Sequence, residues 1–204
     1  MAVNALVFDL GGVVIDWNPR HLYRKLFDDE ASMEDFLATV CTMAWNDQLD
    51  KGLPFADGVA QLVAEFPQHR ALIEAYHLRW VEMVPGALED TVALLAELRE
   101  AGVPLYALSN WAVETFVLVR DRFPFLDWFD GILLSGEIGI TKPDARIFEE
   151  LCTRFGLDPA TTVFIDDNPP NVEGAQAAGL QAVWFESAAT LRGELARLGV
   201  GQSD

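Results

Sequence analysis

Near its N-terminus the chain carries the run Ala5-Leu6-Val7-Phe8-Asp9-Leu10-Gly11-Gly12-Val13-Val14-Ile15-Asp16. A short apolar run that stops at turn residues is typical of a strand buried on both faces. Asp9 would then lie at the carboxyl end of this strand, where open α/β sheets bind their ligands. Gly11 and Gly12 permit a positive φ and a close approach of the backbone to a small bound group. A buried strand that ends at an ordinary Asp-containing turn explains the same residues, so later stretches must distinguish the two.

The length and composition of the chain indicate a folded protein with one main core. Its 204 residues suffice for one sizeable core, or for a core that carries a smaller insertion. No apolar run approaches the ~20 residues that span a bilayer, and the N-terminus lacks the basic region of a signal peptide. Cys41 and Cys152 are far apart in sequence, which favours two buried thiols over a disulfide or a metal site. We therefore expect a cytoplasmic protein.

The charge of the chain restricts its partners. The formal net charge is −18, from 14 basic and 32 acidic residues. This excess of negative charge argues against nucleic acid and against anionic membrane surfaces. An anionic substrate would need local positive charge, which a divalent cation and one or two lysines could supply.

Between Arg20 and Met83 the sequence predicts helices and no strand. Asn18-Pro19 predicts a helix start with Asn as the N-cap, and Ser32 with Asp35 predicts a second one. We expect residues 17–83 to form a helical subdomain inserted into the core. Its amphipathic segments lie near 20–28, 33–40, 55–66 and 69–83.

From Pro85 onward, predicted strands and helices alternate. Such alternation predicts a parallel sheet with right-handed crossovers and helices on both faces. Residues 1–16 and 84–204 are therefore expected to form a doubly wound α/β core, with a frayed tail at 201–204. The strands are expected at 104–109, 131–135, 162–166 and 181–185, and the helices at 88–101, 113–122, 145–155, 171–178 and 189–198.

Three of the predicted strands end in polar residues. The first ends at Asp9, another at Ser109-Asn110, and a third at Asp166-Asp167-Asn168. Because the carboxyl ends of parallel strands share one edge of the sheet, these side chains are expected to converge. Lys142-Pro143 lies in a loop that begins at the same edge.

This set of residues predicts phosphoryl transfer to a carboxylate. Carboxylates at neighbouring strand ends repel each other unless a cation lies between them, and Mg²⁺ prefers such oxygen ligands. Ser109 and the backbone amides around Asn110 can donate to phosphate oxygens, while Lys142 can neutralise a carboxylate and a bound phosphate. The expected substrate is a small phosphorylated metabolite.

Four motifs resemble, in order and spacing, those of the haloacid dehalogenase-like hydrolase superfamily. They are Asp9-x-Gly11-Gly12-Val13, Leu108-Ser109-Asn110, Lys142-Pro143 and Asp166-Asp167-x-x-x-Asn171. The resemblance covers nearly the whole chain. It is closest to small phosphatases with a helical cap, such as the sugar-phosphate phosphatases and the N-terminal domain of soluble epoxide hydrolases. It implies a Rossmann-like core on which the 17–83 insertion forms the cap.

The resemblance implies a set of metal ligands. Asp9 corresponds to the nucleophile, which forms an aspartyl-phosphate and also binds Mg²⁺. Asp167 corresponds to a direct ligand, and Asp166 to an outer-shell or water-mediated one. The backbone carbonyl of Gly11 corresponds to a further metal contact.

The remaining motif residues correspond to groups that bind phosphate or hold the site together. Ser109 and Asn110 match the phosphate-binding motif, with Asn110 expected to reach the phosphate or the substrate. Lys142 matches the lysine of the third motif. Asn171 is expected to orient the loop of the fourth motif.

Gly11 departs from the pattern of the superfamily. Its phosphatases usually carry an aspartate at this position as the general acid/base, and an unreplaced loss would cost ~10²–10⁴ in rate. Asp16 could substitute for it, although a place in the turn or cap hinge explains Asp16 more simply. We therefore expect faster hydrolysis of aryl or acyl phosphates than of alkyl phosphates.

Two other functions are compatible with the motifs. Haloacid dehalogenases need no metal and typically replace the acids of the fourth motif by neutral residues, whereas this chain keeps Asp166 and Asp167. Chloride release without metal would identify a dehalogenase. A non-catalytic protein would keep the fold and the metal site but have lost turnover with Gly11, and would bind metal and phosphate without hydrolysis.

Several other residues have both a functional and a structural interpretation. Trp45, Asn46 and Asp47 could face the substrate, or Trp45 could belong to the core of the insertion. Trp111 could form a pocket wall or pack beneath the next helix, and Glu114 fits a first-turn charge favoured by the helix dipole. Three histidines lack metal-ligand spacing and are expected to be surface or hydrogen-bonded residues, namely His21, His69 and His77.

Overall fold

A five-stranded parallel sheet lies at the centre of the structure, a computed structural model that describes residues 3–200. The strands are β1 (Ala5–Phe8), β2 (Ile15–Asp16), β3 (Gly86–Ala87), β4 (Leu105–Ser109), β5 (Gly131–Leu134), β6 (Thr162–Asp166) and β7 (Gln181–Trp184). The sheet has the order β5-β4-β1-β6-β7, and all neighbours are parallel. β1 is therefore its central strand.

Helices connect these strands, and from residue 88 onward each predicted helix is present, while the short helix Ser135–Ile138 was not predicted. Within residues 3–200 they are α1 (Arg20–Tyr23), α2 (Glu30–Thr39), α3 (Met43–Asp50), α4 (Phe55–Glu65), α5 (Arg70–Leu78), α6 (Glu89–Glu100), α7 (Val113–Val119), α8 (Ser135–Ile138), α9 (Ala145–Phe155), α10 (Pro169–Ala177) and α11 (Ala188–Arg197). Short 3₁₀ segments occur at Pro67–His69, Trp80–Met83, Arg120–Arg122, Pro124–Trp128 and Pro159–Thr161. α10 begins at Pro169 rather than near Asn171, because the two prolines fit the first helical positions.

Successive residues of β1 point to opposite faces of the sheet and enter different hydrophobic clusters. Leu6 and Phe8 belong to a larger cluster that includes residues of α6 and α11. Val7 belongs to a smaller cluster with Phe148 of α9 and Phe164 of β6. Helices thus cover both faces of the sheet, which confirms the doubly wound α/β core.

The chain between β2 and β3 forms helices only, and within the described residues it contains no strand. β2 and β3 pair antiparallel, with Ile15 opposite Ala87 and Asp16 opposite Gly86, so this helical insertion leaves and re-enters the core at one place. The larger hydrophobic cluster continues from the sheet into the insertion, where it includes Tyr76.

Helix α3 is absent from the sequence-based prediction. Its buried residues are Trp45, Asn46 and Leu49, and the buried asparagine interrupts the apolar spacing that marks an amphipathic helix. The helix begins in the usual way, because the Thr42 hydroxyl accepts a hydrogen bond from the Trp45 N–H at 3.1 Å.

Three other expectations in the insertion need correction. Asp29 caps α2 by accepting a hydrogen bond from the Ser32 N–H at 2.8 Å, so Ser32 lies inside the helix and the cap predicted there is wrong. The segment predicted at 69–83 is divided into α5 and a 3₁₀ turn. Asn18 Oδ1 accepts from the Arg20 N–H at 2.9 Å, but α1 begins at Arg20 with Pro19 as its N-cap, one residue later than predicted.

Other findings concern the chain as a whole. Cys41 and Cys152 are both buried and unpaired, as expected. No helix within residues 3–200 is long and apolar enough to cross a bilayer. The predicted frayed tail at 201–204 lies outside the described residues.

Candidate active site

The polar strand ends meet at one edge of the sheet, as predicted. Asp9 follows β1, which lies between β4, ending at Ser109, and β6, ending at Asp166. Phe8 is in register with Ala107 on one side and Ile165 on the other, so these ends lie level with each other. A cavity of about 590 Å³ opens above this edge, lined by residues of both the core and the helical insertion.

Lys142 is the central cation of the site, and its side chain is fully buried. Its Nζ lies 2.7 Å from Asp166 Oδ2, 2.9 Å from Asp9 Oδ1 and 3.1 Å from the Leu108 carbonyl oxygen. Burial alone would lower the pKa of Lys142, but the charges of Asp9 and Asp166 and their hydrogen bonds outweigh it, so the pKa is raised. The lysine is therefore charged and joins the two carboxylates.

The side chain of Asn110 fixes the backbone of Lys142. Asn110 Nδ2 donates to the Lys142 carbonyl oxygen at 3.0 Å, and the Lys142 N–H donates to Asn110 Oδ1 at 2.8 Å. Asn110 also lines the cavity. Its expected contact with phosphate stays a prediction. The reciprocal pair adds a positioning role that the motif alone did not indicate.

Asp166 and Asp167 have different environments although they are adjacent. Asp166 is fully buried, and its carboxylate accepts hydrogen bonds from Lys142, from the Asn168 N–H at 2.8 Å and from Asn171 Nδ2 at 3.1 Å. The Asp167 side chain is exposed at the cavity. The roles of Asp167 as a direct metal ligand and of Asn171 as a residue that orients the loop stay predictions.

Gly12 leaves room for the Asp167 carboxylate. Its φ is +79°, and a Cβ at this position would lie 2.4 Å from Asp167 Oδ2. Gly12 thus has the positive φ predicted for the glycine pair, but the group close to it is the Asp167 carboxylate, and the predicted approach to a small bound group stays a prediction. Gly11 does not have a positive φ, and a Cβ there would meet only Trp17 Cβ, at 3.8 Å.

The three aspartates form a group that fits a divalent cation. One carboxylate oxygen from each of Asp9, Asp166 and Asp167 lies within 4.8 Å of the others. Together with Lys142 they leave two formal negative charges. Burial raises the pKa of Asp9, the charge of Lys142 opposes this shift, and the charges of Asp166 and Asp167 add to it. A hard cation among these oxygens would balance the charge and favour ionised Asp9.

The loop after β4 connects the site to the insertion. Ser109 is buried at the cavity. The Trp111 N–H donates to Ser135 Oγ at 2.9 Å, and this hydroxyl donates to the Asp50 carbonyl oxygen at 2.6 Å. The Trp111 ring packs on Trp80 with centroids 5.6 Å apart and also lines the cavity. It also packs edge-on against Phe116 of α7, with centroids 5.5 Å apart, so Trp111 has both of the roles considered for it.

Helix α3 supplies the wall of the cavity that faces the core. Trp45 turns into the insertion, where its Nε1 donates to the Gly58 carbonyl oxygen at 3.3 Å, whereas Asn46 and Asp47 line the cavity. Asn46 Oδ1 accepts from the Tyr76 hydroxyl at 2.7 Å, and Asn46 Nδ2 donates to Asp50 Oδ2 at 2.7 Å. Sequence reasoning missed Asp50, although its spacing of four from Asn46 places both on one helix face.

The environment of Asp50 is unusual for a carboxyl group. Burial raises the pKa of Asp50 to about 8, and the charges of Asp47 and Asp9 contribute in the same direction. Hydrogen bonds from the Ala112 N–H and from Asn46 oppose the shift. Asp50 is also the last residue of α3, where the negative end of the helix dipole disfavours an anion.

Asp16 lies outside the group of residues that line the cavity within the described chain. Its Oδ1 is 2.8 Å from His21 Nε2, at the base of the insertion. This position agrees with the hinge interpretation and leaves Asp16 without access to the reacting groups.

The other residues considered in the sequence analysis make structural contacts. Glu114 lies in the first turn of α7, as expected, and also joins the core to the insertion. Its carboxylate accepts from the Phe55 N–H at 3.1 Å and lies 3.2 Å from His77 Nε2. His69 packs edge-on against Phe36.

Comparisons with known proteins agree with the motifs. A sequence model of the haloacid dehalogenase-like hydrolases matches residues 3–179. The chain is 30% identical over 177 residues to a sesquiterpene phosphatase from Aspergillus oryzae, a match that covers 86% of each sequence. It is 30% identical over 91 residues to an (S)-2-haloacid dehalogenase from Pseudomonas sp., which covers 45% of this chain and 39% of that protein.

The fold is similar to that of a solved enzyme from Bacteroides thetaiotaomicron, determined in complex with magnesium and inorganic phosphate. The TM-score is 0.69 at 24% identity, and the match covers 91% of this chain and 95% of the other. At this identity the likeness concerns the fold.

Proposed function

Because the chain belongs to the haloacid dehalogenase-like hydrolases, we propose that it is a Mg²⁺-dependent phosphatase that hydrolyses a small phosphorylated metabolite through an aspartyl-phosphate on Asp9. The observation that carries this proposal is the group of Asp9, Asp166 and Asp167 around the buried Lys142. Such a group combines a carboxylate nucleophile with the charges that phosphoryl transfer requires.

The hydrogen bonds of Asp9 orient its carboxylate. Within the described chain, Oδ1 accepts from the Leu10 N–H at 2.7 Å and lies 2.9 Å from Lys142 Nζ. Oδ2 is then the oxygen that attacks phosphorus, forming the aspartyl-phosphate as the ester bond to the leaving group breaks. Water subsequently cleaves the acyl-phosphate and returns the carboxylate.

The proposed metal site consists of Asp9, Asp167 and the Gly11 carbonyl, with Asp166 in the outer shell. The four hydrogen bonds that three donor groups make to Asp166 support this division, because they occupy the lone pairs that a metal would otherwise take. Mg²⁺, when bound, would neutralise charge on the phosphoryl oxygens.

The remaining phosphoryl oxygens would be bound by the loop after β4. The Ser109 hydroxyl and the main-chain amides beside Asn110 are donors at the cavity, and Lys142 contributes a positive charge. These groups would stabilise the phosphoryl group in the transition state and hold released phosphate.

We further propose that the insertion, residues 17–83, acts as a cap over the core formed by 1–16 and 84–204. Its residues Trp17, Asn46 and Asp50 line the same cavity as Asp9. A cap in this position would exclude water and contact the part of the substrate beyond the phosphate.

Phosphate release from a panel of phosphorylated metabolites tests the proposal. Activity should require Mg²⁺, disappear in excess EDTA, and be absent in Asp9→Asn, whose amide keeps Oδ1 as an acceptor but cannot form the acyl-phosphate. Asp16→Asn is the matched control, because Asp16 belongs to the same stretch but lies outside the cavity lining. Retention of more than about a tenth of kcat by Asp9→Asn, a loss of less than ~1.4 kcal/mol, would refute the nucleophile assignment.

The same assay distinguishes the alternatives. Chloride release from 2-haloacids in EDTA would indicate a dehalogenase, against which the adjacent Asp166 and Asp167 argue because they need a cation. Binding of Mg²⁺ and phosphate with no turnover of any ester would indicate the non-catalytic protein.

A further inference from the structure

Gly11 leaves the proposed reaction without a proton donor for the leaving group. An alkoxide is a poor leaving group, so cleavage of an alkyl phosphate needs a general acid close to the ester oxygen. The position that carries this acid in related phosphatases has no side chain here. The acid must therefore come from elsewhere around the cavity.

The described aspartates that line the cavity are Asp9, Asp47, Asp50 and Asp167. Asp9 is the proposed nucleophile, and Asp167 is a proposed metal ligand. Asp47 forms a salt bridge with Lys51 at 2.6 Å. Asp50 has neither of these roles, and the charges acting on its carboxyl group come from the acids Asp47 and Asp9 rather than from a cation.

Hydrogen bonds hold the Asp50 side chain in one orientation. The Tyr76 hydroxyl, which is buried, occupies Asn46 Oδ1, so the Asn46 amide must present Nδ2 to Asp50. Asp50 Oδ2 is thereby an acceptor, and the proton of the neutral carboxyl is directed away from Asn46.

The backbone at Asp50 is attached to the core as well as to the insertion. The Ser135 hydroxyl, itself bound to the Trp111 N–H, donates to the Asp50 carbonyl oxygen. Gly52, with a φ of +95°, lies against the Gly136 carbonyl oxygen, so the chain after α3 packs closely on helix α8. This end of α3 is therefore held beside the phosphate-binding loop.

We propose that Asp50 donates the proton to the leaving-group oxygen and takes over the role of the missing acid at position 11, an inference that rests on the proposed phosphatase function. As Asp9 Oδ2 forms its bond to phosphorus, the phosphorus–oxygen ester bond breaks, and the leaving oxygen takes the proton of Asp50 and departs as the alcohol. Asp50, now a carboxylate, accepts a proton from the water that attacks the aspartyl-phosphate. Free phosphate is released, and both carboxyl groups return to their initial states.

The electrostatic environment of Asp50 supports this role. The titratable groups that face it are Asp47 on its own helix, Tyr76 on α5 and Asp9 at the end of β1. The two carboxylates disfavour a further negative charge, and the tyrosine remains neutral because burial raises its pKa. With a pKa of about 8, Asp50 holds its proton at neutral pH and can release it in the reaction.

With Asp50 as the acid, the preference for aryl and acyl phosphates expected from Gly11 alone should be weak in wild type. Wild type should hydrolyse phosphates of graded leaving-group pKa with a shallow dependence on that pKa. Asp50→Asn should lose about 10²-fold or more in kcat/KM on alkyl phosphates and less than about 5-fold on 4-nitrophenyl phosphate, whose leaving group needs no proton. The alkyl activity of wild type should also fall as the pH rises through about 8, and this fall should be absent with the aryl ester.

Two further variants keep the test decisive. Gly11→Asp in the Asp50→Asn background should restore alkyl turnover, since a Cβ at Gly11 has no neighbour closer than 3.8 Å. Gln48→Ala, on the same helix but exposed and outside the cavity lining, should leave the ratio of alkyl to aryl activity within about twofold of wild type.

The outcomes separate the inference from the function on which it rests. An equal loss on alkyl and aryl esters in Asp50→Asn, or a steep leaving-group dependence already present in wild type, would overturn the role of Asp50 alone. If wild type released phosphate from no ester in the presence of Mg²⁺, the proposed function would fail and the inference would fail with it.

Discussion

Replacing Gly12 by alanine should weaken Mg²⁺ binding while leaving the sheet intact. The new Cβ would lie 2.4 Å from Oδ2 and 2.8 Å from Cγ of Asp167, well inside van der Waals contact. Since the φ of +79° also disfavours alanine, both the turn and the carboxylate must shift. Asp167 would move out of its position relative to Asp9 and Asp166.

The expected magnitudes follow from these two effects. A left-handed conformation costs an alanine about 1–2 kcal/mol, which for a chain of this size lowers Tm by roughly 2–8 °C. A change that disturbs the orientation of a metal ligand typically reduces affinity by about 10–100-fold, or ~1.4–2.7 kcal/mol. The concentration of Mg²⁺ at half-maximal activity should rise by that factor.

Gly11→Ala is the matched control. It adds the same methyl group one residue earlier, where φ is not positive and the nearest atom would be Trp17 Cβ at 3.8 Å. Mg²⁺ titrations of phosphate release, together with thermal melts with and without Mg²⁺, measure both quantities for each variant. An unchanged Mg²⁺ dependence in Gly12→Ala, with the expected loss of Tm, would refute the assignment of Asp167 as a metal ligand.

Three other predictions concern the charges of the site. Lys142→Met should lower the free energy of unfolding by about 3–5 kcal/mol, measured by urea denaturation, because it leaves the buried carboxylates of Asp9 and Asp166 without their cation; a stable variant would contradict the central role of this lysine. Mg²⁺ at 100 times its Kd should stabilise wild type by about 2.7 kcal/mol, and Asp167→Asn should lose most of this gain in the same melts. Because the folded-state pKa of Asp50 is raised from 3.8 to about 8, the folded state binds an extra proton between these values, so stability should fall as pH rises from about 4 to 8. This contribution should be missing in Asp50→Asn, and parallel stability–pH curves for the two proteins would show that Asp50 does not titrate with a raised pKa.

The core and its polar strand ends could be predicted because local patterns determine them. The apolar run before Asp9 and the Asp166-Asp167 pair each mark a strand that must be buried and then stop at the sheet edge. Once the strands are parallel, convergence of their ends follows from topology. Lys142 joins the same group because its positive charge forms salt bridges with Asp9 and Asp166.

Helix α3 and Asp50 could not be predicted in this way. The helix buries Asn46, which is polar, and its burial depends on Tyr76, 30 residues away in sequence. The raised pKa of Asp50 depends on contacts with Asn46 and Ala112 and on the charge at Asp9, all of which exist only after folding. A pattern of single residues carries no signal for such long-range pairing.

The continuity of the larger hydrophobic cluster has a consequence for cooperativity and for substrate entry. The same cluster contains Phe8 of the central strand, Tyr76 of the insertion and the packed pair Trp80 and Trp111 that joins them. Swinging the whole insertion away would expose this apolar surface to water, which is unfavourable. Equilibrium denaturation should therefore show one transition for both parts of the chain. A substrate would enter through the existing mouth of the cavity, past side chains that change rotamer, while the core and the insertion stay packed together.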